Sequence, residues 1–267
     1  MSKVTMFDVN FDNYDFLDLL AFMDERIRQR SHSYILTCNV DHLIKLRKDV
    51  EFQKVYSEAG AIVADGMPII WASKMLRKPL KEKVSGSDLF AKLGEAFAKR
   101  QYKLFFLGSA EGIPELAIKN LKLSFPALNI VGYYSPSYGF EKKAEENEQI
   151  VQMLIKAQPD IVFVGVGAPK QEKWIYENYL SYQVPISIGV GATFDFISGS
   201  VKRAPNIMQK TGFEWFWRLA QEPRRLWKRY LIHDSMFIVM LWMEWKKHFK
   251  LKREGTGVNN GLSKQNE

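Results

Sequence analysis

The sequence predicts an α/β protein with a Rossmann-like, mostly parallel sheet, flanking helices and a basic helical C-terminal appendage. Three observations support this fold class. Short runs of β-branched and aromatic residues alternate with longer amphipathic stretches, an order typical of strands joined by right-handed helical crossovers. The strand-like runs are almost continuously apolar, as expected when helices cover both faces of a sheet. The excess of positive charge is confined to the last quarter of the chain.

The expected strands are short, and the expected helices lie between them. The strands are predicted at Tyr34–Thr37, Ala61–Ala64, Lys103–Leu107, Ile130–Tyr134, Ile161–Gly165 and Ile186–Val190, with an N-terminal strand at Val4–Phe7. The helical patterns lie near residues 12–30, 41–58, 67–77, 87–100, 112–124, 143–157 and 169–181.

Charge divides the chain into parts. The formal net charge is +8, yet residues 1–200 hold 24 basic and 24 acidic residues. Residues 201–267 hold 14 basic and 6 acidic residues, together with five of the seven tryptophans. We therefore expect an α/β body over residues 1–200 and a basic, aromatic helical appendage over residues 201–253. Residues 254–267 are polar and rich in turn formers, so a disordered tail is expected there.

Composition and termini limit the cellular setting. The single Cys38 argues against a disulfide framework and a cysteine-based zinc site, so a reducing cytosol is expected. The N-terminus lacks the cationic and apolar regions of a signal peptide. The longest late apolar run, Met236–Met243, has eight residues, far fewer than the roughly 20 of a membrane span. We expect a cytoplasmic protein that does not cross a bilayer.

Polar residues and glycines follow five of the expected strands. They are Thr37-Cys38-Asn39, Asp65-Gly66, Gly108-Ser109, Gly165-Val166-Gly167 and Gly189-Val190-Gly191. Ligands of open α/β sheets bind beyond the carboxyl ends of the strands. Glycine at any one of these ends can simply make a turn, but five such ends together favour one shared ligand site.

The glycine motifs argue against two nucleotide-binding classes. GVGAPK (165–170) and GVGATF (189–194) lack the third glycine of the dinucleotide fingerprint, which disfavours a hydride-transferring dehydrogenase. No G-x-x-x-x-G-K-[ST] sequence is present, which excludes a P-loop NTPase. These loops still allow backbone amides and a helix N-terminus to approach a phosphate or a sugar, and Gln171 in the first helical turn can reach such a ligand.

Two acidic residues are candidates for acid–base chemistry. Asp65 ends an apolar strand before Gly66, where a partly buried carboxylate can accept a proton from a hydroxyl group. The alternative is a turn-forming Asp-Gly pair or an N-cap for the next helix. Asp195, within GATFDF, has the same two interpretations, capping or ligand binding.

Residues for metal or covalent chemistry are sparse. The four histidines, at positions 32, 42, 233 and 248, show no metal-ligand spacing. No Asp-x-Asp pair and no G-x-S-x-G nucleophile motif occurs. The sequence therefore predicts a reaction that uses neither a metal cofactor nor a covalent intermediate.

The C-terminal stretch 223–250 is expected to form one helix that begins at a proline. On a regular helix Arg224 would face Lys228, and Arg225 would likewise face Arg229. Each like-charge pair costs a few tenths of a kcal/mol without an anionic partner. With the neighbouring tryptophans, these cations are typical of a segment on an anionic membrane or lipid phosphate. A solvated face, core packing and nucleic-acid binding are alternatives, and the neutral body disfavours the last.

Seven motifs follow one another along the chain. They are TCNVDH (37–42), ADGMPII (64–70), VSGSDL (84–89), LGSAEG (107–112), GVGAPKQEKWI (165–175), GVGATFDFISGSVKRAP (189–205) and GFEWFWRLAQEPRRLWKRY (212–230). Together they cover most of residues 34–230. In this order they resemble the WecG/TagA/CpsF glycosyltransferases, glycosyltransferase family 26.

The resemblance implies an inverting, metal-independent transfer of a sugar from a UDP-sugar to a sugar on a polyprenyl diphosphate. The expected donor is UDP-N-acetylmannosamine, and the expected acceptor is the N-acetylglucosamine of undecaprenyl diphosphate in wall teichoic acid or surface polysaccharide synthesis. Transfer of N-acetylmannosaminuronic acid or glucose is the first alternative. A non-catalytic module that binds membranes or polyanions is the alternative from another class.

The resemblance also implies roles for residues of the body. Asp65 would be the general base, and Thr37 and Asn39 would orient the acceptor sugar. Gln171 would contact the donor or the acceptor sugar. The residues that would shape the nucleotide-sugar pocket are Gly108, Gly165, Gly167, Gly191 and Asp195, with Arg203 as a further phosphate contact.

The appendage would meet the lipid diphosphate or the leaving UDP through Arg218, Arg225, Lys228 and Arg229. One departure is visible, because the family often has Arg where this chain has Lys83, which keeps the charge but loses the fork geometry. The resemblance further implies an enzyme without a cofactor that docks on the anionic inner face of the cell membrane. Self-association is compatible with it, and nucleic acid is not an expected partner.

Overall fold

The computed structural model describes the backbone of residues 2–259 and the side chains of residues 2–224 and 226–247. It contains eight strands. They are β1 (Lys3–Met6), β2 (Val9–Asp12), β3 (Ser33–Cys38), β4 (Ala61–Ala64), β5 (Lys103–Gly108), β6 (Asn129–Tyr134), β7 (Ile161–Gly165) and β8 (Ile186–Gly189). Every strand expected from the sequence is present, and each end agrees with the prediction to within one residue.

Thirteen α-helices lie between and after the strands within this part of the chain. They are α1 (Phe16–Gln29), α2 (Val40–Leu46), α3 (Val50–Ser57), α4 (Met67–Met75), α5 (Leu89–Lys99), α6 (Ile113–Ser124), α7 (Ala144–Ala157), α8 (Lys170–Tyr182), α9 (Thr193–Ser198), α10 (Asn206–Lys210), α11 (Glu214–Gln221), α12 (Pro223–Trp227) and α13 (Met236–Asn259). Short 3-10 turns at Gly86–Asp88 and Phe140–Lys142 and a π-helical segment at Lys228–His233 complete the set.

Six strands form one parallel sheet in the order β4-β3-β8-β7-β5-β6. The fold is therefore α/β with helices on both faces, as the sequence predicts. Alternate side chains of each strand enter two separate cores. One core packs against α2, α3, α4, α7 and α8, and the other packs against α1, α5, α6 and α9. Both faces are buried, which explains the continuous apolar runs.

The N-terminal strand belongs to a hairpin that the sequence does not reveal. β1 pairs with β2 in antiparallel register, apart from the main sheet. The turn residues Phe7 and Asp8 have φ values of 54° and 61°. Two-residue turns of this kind usually contain Asn-Gly or a similar pair, so Phe-Asp gives no sequence signal. Phe7 is nevertheless buried, because its ring packs 5.3 Å from the ring of Phe237.

Two expected helices are interrupted. The pattern over residues 41–58 forms α2 and α3, because the Asp49 side chain accepts a hydrogen bond from the Phe52 N–H at 3.0 Å and begins a new helix. The prediction of a single helix over residues 223–250 is also wrong. It is divided by the π-helical segment, in which the Asp234 N–H donates to the Arg229 carbonyl at 2.7 Å. That five-residue spacing shifts the following side chains around the helix.

The appendage shares its core with the body. Phe237 and Met240 of α13 are buried in the same cluster as residues of β3 and β4. Lys247 lies 3.4 Å from Asp8 at the hairpin turn. The last helix therefore rests on the first turn of the chain. α13 extends to Asn259, six residues into the segment where the sequence predicts a disordered tail, and residues 260–267 lie outside the described part.

Candidate active site

A cavity of about 1010 Å³ opens beyond the carboxyl ends of the parallel strands. Its walls include the ends of β3, β4, β7 and β8, and residues of the appendage cover it. The predicted site residues that line it are Thr37, Asn39, Asp65, Gly165, Gly167, Gln171, Gly191, Asp195, Arg218 and Arg229, with Lys83. The structure thus brings most of the predicted set to one place, whereas the ligands they bind stay predictions.

The glycines at the strand ends allow backbones to touch. A Cβ atom on Gly108 would lie 2.5 Å from the carbonyl oxygen of Gly165. One on Gly165 would lie 2.8 Å from the carbonyl oxygen of Gly191. The ends of β5, β7 and β8 therefore pack backbone against backbone. Gly108 supports this arrangement from behind and is absent from the cavity wall.

Asp65 lies at the floor of the cavity, one residue after β4. Its N–H donates to the carbonyl of Cys38 at 2.7 Å, which extends the pairing of β4 with β3 and fixes the backbone of Asp65. The next helix begins at Met67, and its N-cap is Gly66, so Asp65 is not the capping residue. Among the described residues, none donates a hydrogen bond to its carboxylate. The capping alternative for Asp65 is therefore wrong.

Burial raises the pKa of Asp65 to about 7. The positive charge of Lys83 opposes this shift, and that of Arg218 does so more weakly. The negative charges of Glu214 and Asp88 add to it. A carboxylate with a pKa near neutrality can both take up and release a proton under ordinary conditions, which is the property that a general base requires.

Thr37 lies at the carboxyl end of β3, and Asn39 follows that strand. The Thr37 hydroxyl donates to the carbonyl of Gly189 at 3.2 Å. The Asn39 side-chain oxygen accepts from the His42 N–H at 3.1 Å and caps α2. Both side chains are thus held by the fold while they line the cavity. Their predicted contact with an acceptor sugar stays a prediction.

Gln171 in the first turn of α8 is almost fully buried, with 3% of its surface exposed. Its side-chain oxygen accepts hydrogen bonds from the N–H groups of Gly167 and Gly191, each at 3.1 Å. Its amide nitrogen donates to the carboxylate of Glu172 at 2.7 Å. The side chain therefore connects two glycine loops.

Behind Gln171 lies a buried cluster of His42, Tyr56 and Glu172, which the sequence does not reveal. Burial lowers the pKa of His42 to about 3, so the imidazole is neutral. Its Nδ1 lies 2.7 Å from the Tyr56 hydroxyl, and its Nε2 lies 3.6 Å from Glu172. Burial raises the pKa of Glu172 to about 7. Two of the motifs, TCNVDH and GVGAPKQEKWI, contain His42 and Glu172, but only the fold places α2 against α8.

Asp195 is held at the opposite end of the cavity. The Ser109 hydroxyl donates to its carboxylate at 3.3 Å across the gap between β5 and α9. Both side chains line the cavity. The helix α9 has Ala192 as its N-cap, and that cap makes no side-chain hydrogen bond, so Asp195 does not cap this helix.

Lys83 and Arg203 share one carboxylate. The Lys83 ammonium lies 2.9 Å from Asp88, and the Arg203 guanidinium lies 2.5 Å from it. Arg203 also donates to the carbonyl and the hydroxyl of Ser87. Arg203 is therefore beside the cavity but not in its wall, and its phosphate contact stays a prediction. Burial alone would raise the pKa of Asp88, but the hydrogen bond from Ser85 and the pairing with Lys83 hold it below its usual value.

We expect Asp88→Ala to lower the free energy of unfolding by about 2–4 kcal/mol, because two largely buried cations lose their shared carboxylate. Urea denaturation at pH 7 measures the change. Glu82→Ala is the matched control, since Glu82 pairs with Lys92 at 3.6 Å on the surface and its loss costs about 0–1 kcal/mol. Equal destabilisation by the two substitutions would contradict the structural role of Asp88.

The predicted cations of the appendage separate into three groups. Arg218 faces the cavity, and its guanidinium lies 5.6 Å from the centre of the Phe196 ring. Arg229 also faces the cavity. Lys228 lies outside the cavity wall and sits over the Trp227 ring. The Arg225 side chain lies outside the described residues.

Arg229 is held by acidic residues that the sequence did not single out. Its guanidinium lies 3.6 Å from Asp41 of α2 and 4.0 Å from Asp234 of the appendage. Burial raises the pKa of Asp234 to about 6, against the opposing charge of Arg229. Lys45 also pairs with Asp41, at 2.6 Å. The pair of Arg229 with Asp41 joins the π-helical segment to the body beside the cavity.

Charge at the cavity comes from side chains of the body and the appendage. The cations that face it are Lys83, Lys170, Arg218 and Arg229. Within the described side chains, no group of three or more His, Cys, Asp or Glu residues could hold a metal ion. Among the described helices, none has the length and apolarity needed to span a membrane.

An open parallel sheet whose strand ends surround a cavity with charged side chains and a carboxylate of raised pKa is the architecture of an α/β enzyme. The chain belongs to the Glycosyl transferase WecG/TagA/CpsF family, whose sequence profile matches residues 4–251. The resemblance seen in the motifs is thereby confirmed. The protein is a glycosyltransferase.

The chain also matches individual relatives along most of their length. The chain is 32% identical over 203 residues, 76% of each chain, to the N-acetylglucosaminyldiphosphoundecaprenol N-acetyl-beta-D-mannosaminyltransferase of Bacillus spizizenii. It is 29% identical over 232 residues to the enzyme of the same name from Bacillus subtilis, covering 86% of this chain and 88% of that one. The counterpart from Staphylococcus aureus strain MW2 is 28% identical over 230 residues, covering 85% and 87%.

Proposed function

We propose that the enzyme transfers N-acetylmannosamine from UDP-N-acetylmannosamine to the N-acetylglucosamine of undecaprenyl diphosphate, with inversion at the anomeric carbon and without a metal. The observation that carries the proposal is the partly buried Asp65 carboxylate, with its raised pKa, in the wall of the cavity beyond β4. The names of the three relatives support the choice of acceptor and transferred sugar. Wall teichoic acid or another surface polysaccharide is the polymer proposed to receive the product.

In the proposed reaction Asp65 accepts the proton of the acceptor hydroxyl. The hydroxyl oxygen forms a bond to the anomeric carbon of the donor on the face opposite UDP. The bond between that carbon and the UDP oxygen breaks, and UDP leaves with the electron pair. A general base contributes typically about 10²–10⁴-fold to such a step. Inversion follows from the single displacement.

Stabilisation of the leaving diphosphate is assigned to side chains. Lys83, Lys170, Arg218 and Arg229 supply positive charge to the cavity wall. Fixed cations in a water-poor cavity can stabilise charge that develops on a leaving group. This arrangement supports a reaction without a resident metal. Arg229 is paired with Asp41 at 3.6 Å, so a diphosphate would have to compete with that carboxylate.

The appendage is proposed to rest on the anionic inner face of the cell membrane. Its exposed large apolar side chains, within the described residues, are Ile207, Phe213, Phe216, Trp227, Leu231, Ile232, Met236, Ile238, Val239, Trp242, Met243 and Trp245. Cations are interspersed with them, and Leu231 and Ile238 also line the cavity. A lipid-linked acceptor could therefore reach the cavity from the surface on which the appendage lies. Cytoplasmic location and self-association stay predictions.

A panel of UDP-sugars, offered with a short-chain N-acetylglucosamine-diphosphate lipid, tests the donor and the metal together. We expect transfer with UDP-N-acetylmannosamine and unchanged rates in EDTA, and the product mass identifies the sugar. NMR of the new anomeric centre tests inversion. Preference for a uronic or glucosyl donor would contradict the donor assignment. Activity lost in EDTA and restored by a divalent ion would contradict the metal-free reaction, and absence of transfer with every donor would favour a non-catalytic binding module.

A further inference from the structure

Gln171 occupies the space between two loops that belong to different strands. The loop at Gly167 follows β7, and the loop at Gly191 follows β8. One oxygen atom of Gln171 accepts both backbone N–H groups, each at 3.1 Å. A single side-chain atom therefore joins the two loops beyond the last backbone hydrogen bond between β7 and β8. Because these two N–H groups are already bonded, they are not donors for a phosphate.

Glu172 fixes the orientation of the Gln171 amide. The Gln171 amide nitrogen donates to an oxygen of Glu172 at 2.7 Å, and the ionised carboxylate can only accept, so it turns the amide nitrogen toward itself. The amide oxygen must then face the two loops. Rotation of the amide by half a turn would place an oxygen against the carboxylate and an N–H group against two other N–H groups. Glu172 is 1% exposed, so the pair is shielded from bulk water.

The same pair covers the end of β8. A Cβ atom on Gly189 would lie 2.6 Å from the Gln171 nitrogen and 3.0 Å from the Glu172 oxygen. The carbonyl of Gly189 in turn accepts the hydrogen bond of Thr37 at 3.2 Å. The wall that contains Thr37 and the two glycine loops are thus built around one buried amide–carboxylate pair.

We propose that Gln171 and Glu172 are positioning residues, which set the spacing of the Gly167 and Gly191 loops for donor binding, and that Gln171 does not act by contact with the sugar. The inference rests on the proposed function, because its readout is sugar transfer. It differs from the role implied by the family resemblance, in which the amide of Gln171 would touch a substrate.

A reciprocal exchange tests the proposal. In Q171E a carboxylate oxygen would face the Glu172 carboxylate, and we expect kcat/KM for transfer to fall by about 30-fold, mainly through KM for the UDP-sugar. In E172Q the new side-chain oxygen can still accept from the Gln171 amide nitrogen, but the new side chain can also donate and so no longer fixes the orientation of the Gln171 amide. We expect kcat/KM to fall by about threefold. In the double variant the new amide at position 172 can donate to the new carboxylate at position 171, whose oxygen accepts both loop N–H groups. We expect it to recover to within about fivefold of the unaltered enzyme.

The control is Gln149→Glu, which makes the same change on the exposed surface of α7 and should leave kcat/KM unaltered. If the amide of Gln171 contacts the sugar, the double variant will stay as impaired as Q171E, and the proposal is overturned. If Q171E does not fold, recovery of folding and transfer in the double variant supports the proposal, and failure to recover overturns it. If the unaltered enzyme transfers the sugar but the double variant does not recover, this inference alone is contradicted. If the unaltered enzyme transfers no sugar, the proposed function is contradicted.

Discussion

Asp65→Asn lowers kcat for sugar transfer by about 10³-fold, while the affinity for UDP changes by less than about threefold. The amide has nearly the shape of the carboxylate but cannot accept the proton of the acceptor hydroxyl. Because Asp65 lies at the floor of the cavity, where it lines the wall beside Thr37 and Asn39, the loss should fall on the chemical step. Steady-state kinetics with the lipid-linked acceptor and calorimetry with UDP measure the two effects. A variant that retains a tenth of the activity would show that Asp65 is not the base.

The pH dependence follows from the same carboxylate. Only the ionised form accepts a proton, and the pKa of Asp65 is raised to about 7 by burial. The value of kcat/KM should therefore rise about tenfold per pH unit below pH 7 and reach a plateau above it. A plateau that extends down to pH 5 would contradict this assignment.

The stability of the enzyme should change in the opposite direction. A carboxyl group whose pKa is raised on folding favours the folded state at low pH, and this contribution disappears as the pH rises through the folded-state value. Asp65→Asn should therefore be as stable as the unaltered enzyme below about pH 4. It should become more stable between pH 4 and 7 and keep an advantage of about 1–3 kcal/mol above pH 7. Urea denaturation at pH 4 and pH 8 measures the difference.

Truncation after Ala220 should lower transfer to a lipid-linked acceptor by at least about 100-fold. The truncation removes Arg229 and Phe237 from the cavity wall and exposes the cluster in which Phe237 and Met240 are buried. Binding to vesicles that contain anionic lipid should be lost together with activity, because the exposed tryptophans and the cations leave at the same time. Sedimentation with vesicles measures the first effect. Full activity of the truncated enzyme on a lipid-linked acceptor would contradict the role of the appendage.

Two smaller variants separate the cavity wall from the membrane surface. Val239→Ser combined with Trp242→Ser alters two exposed side chains of α13, so it should weaken vesicle binding and leave transfer to a short, water-soluble acceptor intact. Phe237→Ala should weaken transfer to both acceptors, because its ring holds α13 on Phe7 and lines the cavity. Identical profiles for the two variants would contradict this division.

The parallel sheet could be predicted because its strands are buried on both faces and its helices are amphipathic. Short, continuously apolar runs such as KLFFL and IVFVG are typical of strands in a sheet that is covered on both faces. The hairpin could not be predicted from the same pattern. Phe7 and Asp8 occupy turn positions that usually favour glycine or asparagine, and their stabilisation comes from Phe237, far away in the sequence. The π-helical segment that divides the last helix likewise has a partner far away in the sequence, because Arg229 pairs with Asp41.

The candidate site could be predicted only where it depends on local sequence. The position of Asp65 can be predicted from the local sequence. An acidic residue that directly follows an apolar strand lies where the carboxyl ends of the parallel strands meet. The partners that set its pKa come from distant segments, among them Lys83 and Glu214. The bridge made by Gln171 also depends on the meeting of two loops after β7 and β8. Such long-range juxtapositions have no periodic signature.

The contact between the hairpin turn and α13 has a consequence for the order of assembly during synthesis. Lys247 and Asp8 are 239 positions apart, and the ring of Phe237 packs on that of Phe7. The six-stranded sheet is complete once β8 has emerged from the ribosome, but the roof of the cavity is then still inside the exit tunnel or unsynthesised. Until the appendage has left the tunnel, Asp65 lacks this cover and stays open to water. The hairpin turn is made first but gains its contact with Lys247 only 239 positions later, so the cavity is covered late in synthesis.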